Sequence, residues 1–162
     1  MPDEIIRGGE LAVLGSANVR TKKGYQGQEH EFSKGKTRVR VIVPPATGAK
    51  AAKPIAKSWD QYLDTASGGG GSKRKIMNLA FVEADDNSNT KFITSFDPPV
   101  ELRVAITRDD TQRQPDKTKL TVGYCRKRGA WTPFSDVSLS DAQDELVVSI
   151  STWYDDPAIG VW

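Results

Sequence analysis

The chain has 162 residues, 37% of them hydrophobic, and its 23 basic residues against 21 acidic ones leave a net charge of +2. No overall field therefore draws it to a polyanion or a membrane surface. The length suits one domain, residues 1–162, that buries roughly two thirds of the extended chain's surface and needs no covalent staple.

Cys125 is the single cysteine, so no disulfide forms within the chain, and a reducing, cytoplasmic setting fits. The start, Met1-Pro2-Asp3-Glu4, lacks the basic and apolar regions of a signal peptide, which predicts either a cytosolic protein or a domain cut from a larger one. No apolar run approaches the roughly 20 residues that cross a bilayer, so membrane insertion is not expected.

In chain order, Leu11, Val13 and Ala17 alternate after Gly8-Gly9 and predict a first short strand. Lys22 to Gly35 is polar and reads as a long loop or a poorly paired hairpin. Thr37 to Val43 is a strand with Val39, Val41 and Val43 inward and Arg38 and Arg40 outward, ended by Pro44-Pro45. Pro54 to Thr65 predicts the one helix, because Ile55, Trp59, Tyr62 and Leu63 follow the spacing of an apolar stripe.

Ser67 to Ser72 encloses four glycines. That composition reads either as an engineered linker standing where a native loop was excised, which would make the chain a regulator or substrate protein whose active loop near residue 68 was removed, or as a native glycine loop. Ile76 to Glu83 is a strand with Met77, Leu79 and Phe81 on one face. The longest alternation comes next, with Val100, Leu102, Val104 and Ile106 on one side of a strand and Glu101, Arg103, Ala105 and Thr107 on the other. A charged loop follows, then Leu120, Val122 and Tyr124, a turn at Arg126 to Gly129, and Trp131. Val137 with Leu139, then Leu146, Val148 and Ile150, and finally Ile159 with Val161 complete about eight to ten strands. Period-two alternation over so much of the chain predicts an all-β, two-sheet antiparallel β-sandwich of immunoglobulin-like kind with one short α-helix.

Several of these segments stand in a recognisable order: Gly8-Gly9-Glu10-Leu11, Val41-Ile42-Val43-Pro44, Phe96 to Leu102, Leu120 to Tyr124, and Gly129-Ala130-Trp131. In that order the chain resembles the zonula-occludens/uncoordinated domain of ankyrins, netrin receptors and bacterial surface proteins, over about 130 residues. The resemblance implies a binding or assembly module without enzyme activity. Some members of that family cut themselves at a His-Phe-Ser sequence near the end of the domain. The corresponding Thr152-Trp153-Tyr154 has neither base nor nucleophile, and His30-Glu31-Phe32-Ser33 lies near the other terminus with one residue inserted. Self-cleavage is not implied here.

Candidate chemistry is sparse. His30, between Glu29 and Glu31, has no second histidine and no ligand-spaced cysteine, so it reads as a solvated loop residue and not as a base or metal ligand. Asp85, Asn87 and Asn89 alternate as in a calcium loop, but Thr90 stands where glycine is needed and Phe96 where the closing acid belongs. An Asx-rich turn is expected there. No nucleophile elbow and no phosphate-cradling glycine loop is present, and Cys125 has no histidine partner by sequence, so no catalytic residue, metal or cofactor is predicted.

The sequence reading is thus a non-enzymatic protein-interaction or structural module whose partner is another protein or a copy of itself. Its contact residues are the aromatics Trp59, Tyr62, Trp153, Tyr154 and Trp162, which bury much area at little entropic cost. The rival is nucleic-acid binding by Lys34, Lys36, Arg38, Arg40, Arg126, Lys127 and Arg128, which requires those charges to converge on one face.

Overall fold

The computed structural model describes residues 18–20, 28–34, 36–44, 52–58, 74–83, 91–126, 130–154 and 157–162. Among them, in chain order, the strands are β1 (Asn18–Arg20), β2 (Gln28–Lys34), β3 (Thr37–Val43), β4 (Ala52–Ser58), β5 (Arg74–Glu83) and β6 (Ser95–Ala105). After the helix α1 (Arg108–Arg113) and a 3₁₀ turn at Lys117–Lys119 come β7 (Val122–Cys125), β8 (Trp131–Pro133), β9 (Ser138–Leu139), β10 (Glu145–Thr152) and β11 (Ala158–Val161). They form a first sheet in the order β1-β2-β3-β6-β10-β9 and a second in the order β4-β5-β11-β7-β8, with every described pairing antiparallel. The all-β, two-sheet sandwich with one short helix is as expected.

Alternation explains the core. Val39 and Val41 of β3, Val100, Leu102 and Val104 of β6, and Leu146, Val148 and Ile150 of β10 turn inward. They meet Met77, Leu79 and Phe81 of β5, Val122 of β7, and Ile159 and Val161 of β11. Each such side chain contributes about 1.5–3 kcal/mol on burial. At Ile76 the β5–β11 register slips, Met77 pairing with Ile159 and Lys75 with Gly160. The extra residue lets both Ile76 and Met77 enter the core.

The described start of the expected helix is a strand. The expected helix at Pro54–Thr65 begins instead as β4, whose residues from Ala52 to Ser58 pair in unbroken register with β5; Trp59, Tyr62 and the rest of that segment lie outside the described residues. Only Ile55 of the apolar stripe falls within the described part. Burying Ile55 against β5 through a seven-residue ladder outweighs that much helical pattern. Pro54 is tolerated because β4 is an edge strand.

The described helix is the polar Arg108–Arg113, which has no apolar stripe. Local chemistry starts it: Thr107 and Asp110 form a reciprocal capping box. The fully buried Asp110 accepts from the Thr107 amide (2.9 Å), from Arg74 Nε and Nη2 (both 2.9 Å) and from Arg113 Nη2 (3.3 Å). Arg74 also donates to the Ala105 carbonyl and Arg113 to that of Val161, so the helix ties β6 of one sheet to β5 and β11 of the other. Burial alone would raise the Asp110 carboxyl, but the bonds from Arg74 and Thr107 outweigh it and hold its pKa below the ordinary value.

Two other expectations change and three fall outside the described residues. Of the predicted loop Lys22–Gly35, residues Gln28–Lys34 are β2, paired with β3 along its whole length. His30 is consequently a strand residue only 5% exposed, and not a solvated loop histidine: alternation turns it inward beside Phe32 and opposite Val41. The first predicted strand (Leu11, Val13, Ala17), the glycine stretch 67–72 and the Asp85–Asn89 turn lie outside the described residues.

On the outer face of the second sheet, Cys125 is buried with Trp131 and Ala158, and Trp162 packs against them. The floor beneath the two indoles is glycine. A Cβ on Gly160 would stand 2.8 Å from the Trp131 ring, and one on Gly123 would collide with the Thr132 carbonyl oxygen and the Trp162 ring while lying 2.9 Å from Pro133 Cα. Because backbone cannot step aside as a side chain can, Gly123→Ala is expected to destabilise by about 2 kcal/mol. Gly160→Ala, which meets mainly a ring, should cost less. Urea unfolding midpoints of the two variants check the order, and a Gly123→Ala midpoint equal to the parent's would contradict the close approach.

Candidate functional site

The outer face of the first sheet carries the largest described ionic group. Alternation points Arg40 of β3, Glu29 of β2, Glu101 and Arg103 of β6, and Glu145 of β10 to this side, and the strand order brings together residues as far as 105 positions apart. Arg40 grips Glu145 with two nitrogens, Nε at 2.8 Å from Oε2 and Nη2 on Oε1, and reaches Glu29 with Nη1 at 2.6 Å. Arg103 binds Glu101 (2.7 Å) and touches Glu145 (3.5 Å). Glu29 and Glu145 are only 4% and 3% exposed, so each carboxylate depends on its arginine. Burial would raise the Glu145 carboxyl, but the Arg40 hydrogen bonds, with help from Arg103, bring its pKa below the ordinary value. The same contacts hold the Arg40 guanidinium still more firmly protonated. A groove of about 440 Å³ opens beside this group, between Arg40, Arg103 and Glu145 and the turn Ser140–Asp144.

The sheet edges differ in how they are closed to further strands. At β8, Phe134 donates its amide to the Val122 carbonyl (3.0 Å), so alternation puts the nitrogen of Pro133 on the open side, where it offers no N–H. Pro54 lies in the edge strand β4. Where the β3–β6 pairing stops at Glu101, the exposed Pro98 and Pro99 follow in β6.

The edge at β9 is different. Glu145 accepts from the Ser140 amide (3.0 Å), which aims its backbone toward β9, and alternation aims Val147 and Ser149 the same way. β9 is two residues long and pairs only with Leu146 and Val147. Ser149, Ser151 and Thr152 are exposed, and beyond β9 this side of β10 has no ladder partner among the described residues. Among the described residues, no proline or charged side chain guards it.

At the end of this open run the chain enters an aromatic group. Trp153 is 3% exposed, its indole nitrogen donates to the Leu79 carbonyl (2.9 Å), and its ring packs on Phe81 and Phe134. It is a core residue with no surface to offer a partner, which corrects the sequence assignment. Tyr154 is half-buried, stacked on Tyr124 at 4.9 Å with Arg126 over its ring at 4.7 Å. Trp162 covers Gly123 and meets Trp131 edge-on at 6.0 Å, while its backbone pairs with Thr121.

The described basic side chains do not converge on one face. Arg38 and Arg40 face carboxylates on the first sheet, Arg38 lying 3.9 Å from both Glu31 and Glu145. Lys36 is exposed at the β2–β3 turn, Lys34 ends β2 opposite Thr37, and Arg126 belongs to the second sheet's end of the molecule. Lys127 and Arg128 lie outside the described residues. Sequence reasoning placed Leu146, Val148 and Ile150 on the inward face of this strand but had no means to see that β9 stops short of Ser149 and Ser151. A signal was present in the spacing: Val137 and Leu139 offer too few alternations to match Leu146 to Ile150.

No family model, no curated protein and no solved structure matches the chain.

Proposed function

We propose that the chain is a non-enzymatic protein-interaction or assembly module that accepts an extended segment of a partner protein along β10, opposite Ser149–Thr152. One observation carries this reading: among the described residues, and apart from the two-residue β9 itself, the Ser149–Thr152 run is the sheet edge with neither proline nor charge nor a strand on its open side. Open edges accept strands because backbone N–H and C=O groups supply the affinity and neighbouring side-chain pockets the selectivity. Half-buried Tyr154 and Phe134 lie where the run ends and offer aromatic surface to the same segment. The resemblance to the zonula-occludens/uncoordinated domain supports an assembly role of this kind. Basic side chains divided between the two sheets, several already bound to carboxylates, favour it over nucleic-acid binding.

The test uses peptides displayed as a random library and selected on the intact protein. Ser149→Pro removes the N–H on the open side and leaves the pairing with β6 in place. Selected peptides are expected to slow exchange of the Ser149 amide and to bind Ser149→Pro at least about tenfold more weakly. Peptides that bind parent and variant equally, or protection of some other edge, would count against this assignment. Growth of mass with concentration, abolished by Ser149→Pro, would identify the partner as another copy of the chain.

A further inference from the structure

The histidine in β2 has surroundings unlike those of any other described titratable group. His30 is 5% exposed, and its Nε2 is buried without a hydrogen-bond partner. Val41 stands opposite it in β3, Phe32 is its neighbour on the same face of β2, and Val39 and Val43 line the core on either side. The charges nearby point elsewhere: Glu29, Glu31, Arg38 and Arg40 belong to the outer face, where they pair with one another and with Glu145. In β1 the residue opposite is Val19, and the inward residues of β4, the next strand against β3, are Ala52 and Pro54. On the inward-facing register of β2 the next ionisable position is Lys34, two alternations along, whose backbone closes the hairpin opposite Thr37 and lies roughly 13 Å from that of His30. Among the described residues, a second proton on this imidazole would find no inward carboxylate on β1, β2, β3 or β4; Glu83 of β5, inward by alternation with Phe81, stands opposite Ala52 with Lys91 at 4.0 Å.

The position of β2 decides how the sheet responds. Only the three-residue β1 lies outside it, whereas β3, β6 and β10 are held on both sides. We propose that His30 is an acid-sensitive latch: in its neutral form it lets β2 close the edge of the first sheet, and its protonation detaches β2 from β3 while the rest of the sandwich stays folded. An imidazolium buried among valines and a phenylalanine is strongly unfavourable. Withdrawing β2 returns it to water and leaves the Val100, Leu102 and Val104 layer in place. Opening also bares β3, whose Val39, Val41 and Val43 alternate along a straight, β-branched edge. In acid the protein therefore acquires a second edge able to take up a strand. This is independent of the Ser149 edge, which contains no titratable group.

Burial pushes the His30 pKa below its usual 6.5, which fixes the direction of the effect. Above pH about 6.5 both closed and open forms hold a neutral imidazole and the latch is at full strength. As pH falls below that value the open form takes up the proton first, and closure weakens until the closed-form pKa is passed.

Amide hydrogen exchange on the full chain at pH 7.5 and pH 5.5, corrected for the intrinsic pH dependence of exchange, tests the proposal. The expected result is a loss of protection of up to about tenfold at pH 5.5 for amides in the β2–β3 ladder, the limit set by an open-form pKa of about 6.5, with the β6–β10 ladder unchanged. In His30→Phe the two pH values should give equal protection, and His30→Gln, neutral at every pH, is the second variant should phenylalanine not fit. Nuclear magnetic resonance titration of the single histidine in the parent protein should give a midpoint coinciding with the loss of β2 protection. No change in β2–β3 protection, an equal loss in β6–β10, or an opening that persists in the variants would each overturn it.

Discussion

Trp153→Ala is expected to destabilise the protein by about 3–5 kcal/mol, the range for removing a large aromatic side chain from a closed core. The indole fills space between the sheets, edge-on to Phe81 at 5.6 Å and stacked with Phe134 at 5.9 Å, and its N–H satisfies the Leu79 carbonyl. Truncation removes the ring contacts on both sides and leaves that carbonyl without its donor. Because domains of this size are stable by only about 5–15 kcal/mol, the variant should unfold at far lower urea or be largely unfolded at 37 °C. Trp153→Phe separates the two contributions. It keeps an aromatic ring between Phe81 and Phe134 but cannot donate to Leu79, so about 1–3 kcal/mol should be lost. Equilibrium urea unfolding at 25 °C followed by far-ultraviolet circular dichroism measures both. Unchanged midpoints would place this indole outside the core and restore it as a candidate contact residue.

The same residue shows how far the sequence can be read. A tryptophan following Leu146, Val148 and Ile150 looked like surface aromatic material because the alternation stops at Thr152. In the structure the β6–β10 register shifts between Ile150 and Thr152, and that irregularity turns the next side chain inward. A bulge depends on what lies across the ladder, so local pattern cannot announce it. Where one face is buried over several residues, as at Val100, Leu102 and Val104 or at Met77, Leu79 and Phe81, the pattern alone located the core. It misread the start of the expected helix because the residues from Pro54 to Ser58 carry little pattern of their own and the edge of β5 offered them a ladder. The polar Arg108–Arg113 turn owes its helicity to one capping box and two arginines, which no apolar periodicity reports. Strand order is the largest loss. Arg40 and Arg103 were visible as outward residues, whereas Glu29 was read in a polar loop and Glu145 was not singled out, and only the sequence of strands β2-β3-β6-β10 makes the four one group. The open run at Ser149 has the same origin, since an edge is defined by which strand is missing beside it.

Arg40→Met should cost about 3 kcal/mol at pH 7, toward the lower end of what stranding a buried charge entails, because Glu145 would keep Arg103 while Glu29 would lose its 2.6 Å partner. Methionine retains the apolar stem that crosses the sheet, so the loss reports charge and not volume. The loss should also depend on acidity in a definite direction. In the parent the Glu145 carboxyl has a folded-state pKa below its unfolded value, so the stability it contributes is present above pH about 4.3 and fades as pH falls through the folded value. In Arg40→Met that contribution is largely gone, and protonation relieves the stranded carboxylates, so the gap between parent and variant should close in acid. Adding Glu29→Gln and Glu145→Gln to Arg40→Met should recover most of the lost stability at pH 7, since neutral amides no longer need the guanidinium. Thermal melts at pH 7 and pH 3.5 for the parent, the single variant and the triple variant give the comparison. A gap that stays constant with pH, or a triple variant less stable than Arg40→Met, would mean that Arg40 supports the sheet through packing along its stem and not by neutralising the two buried glutamates.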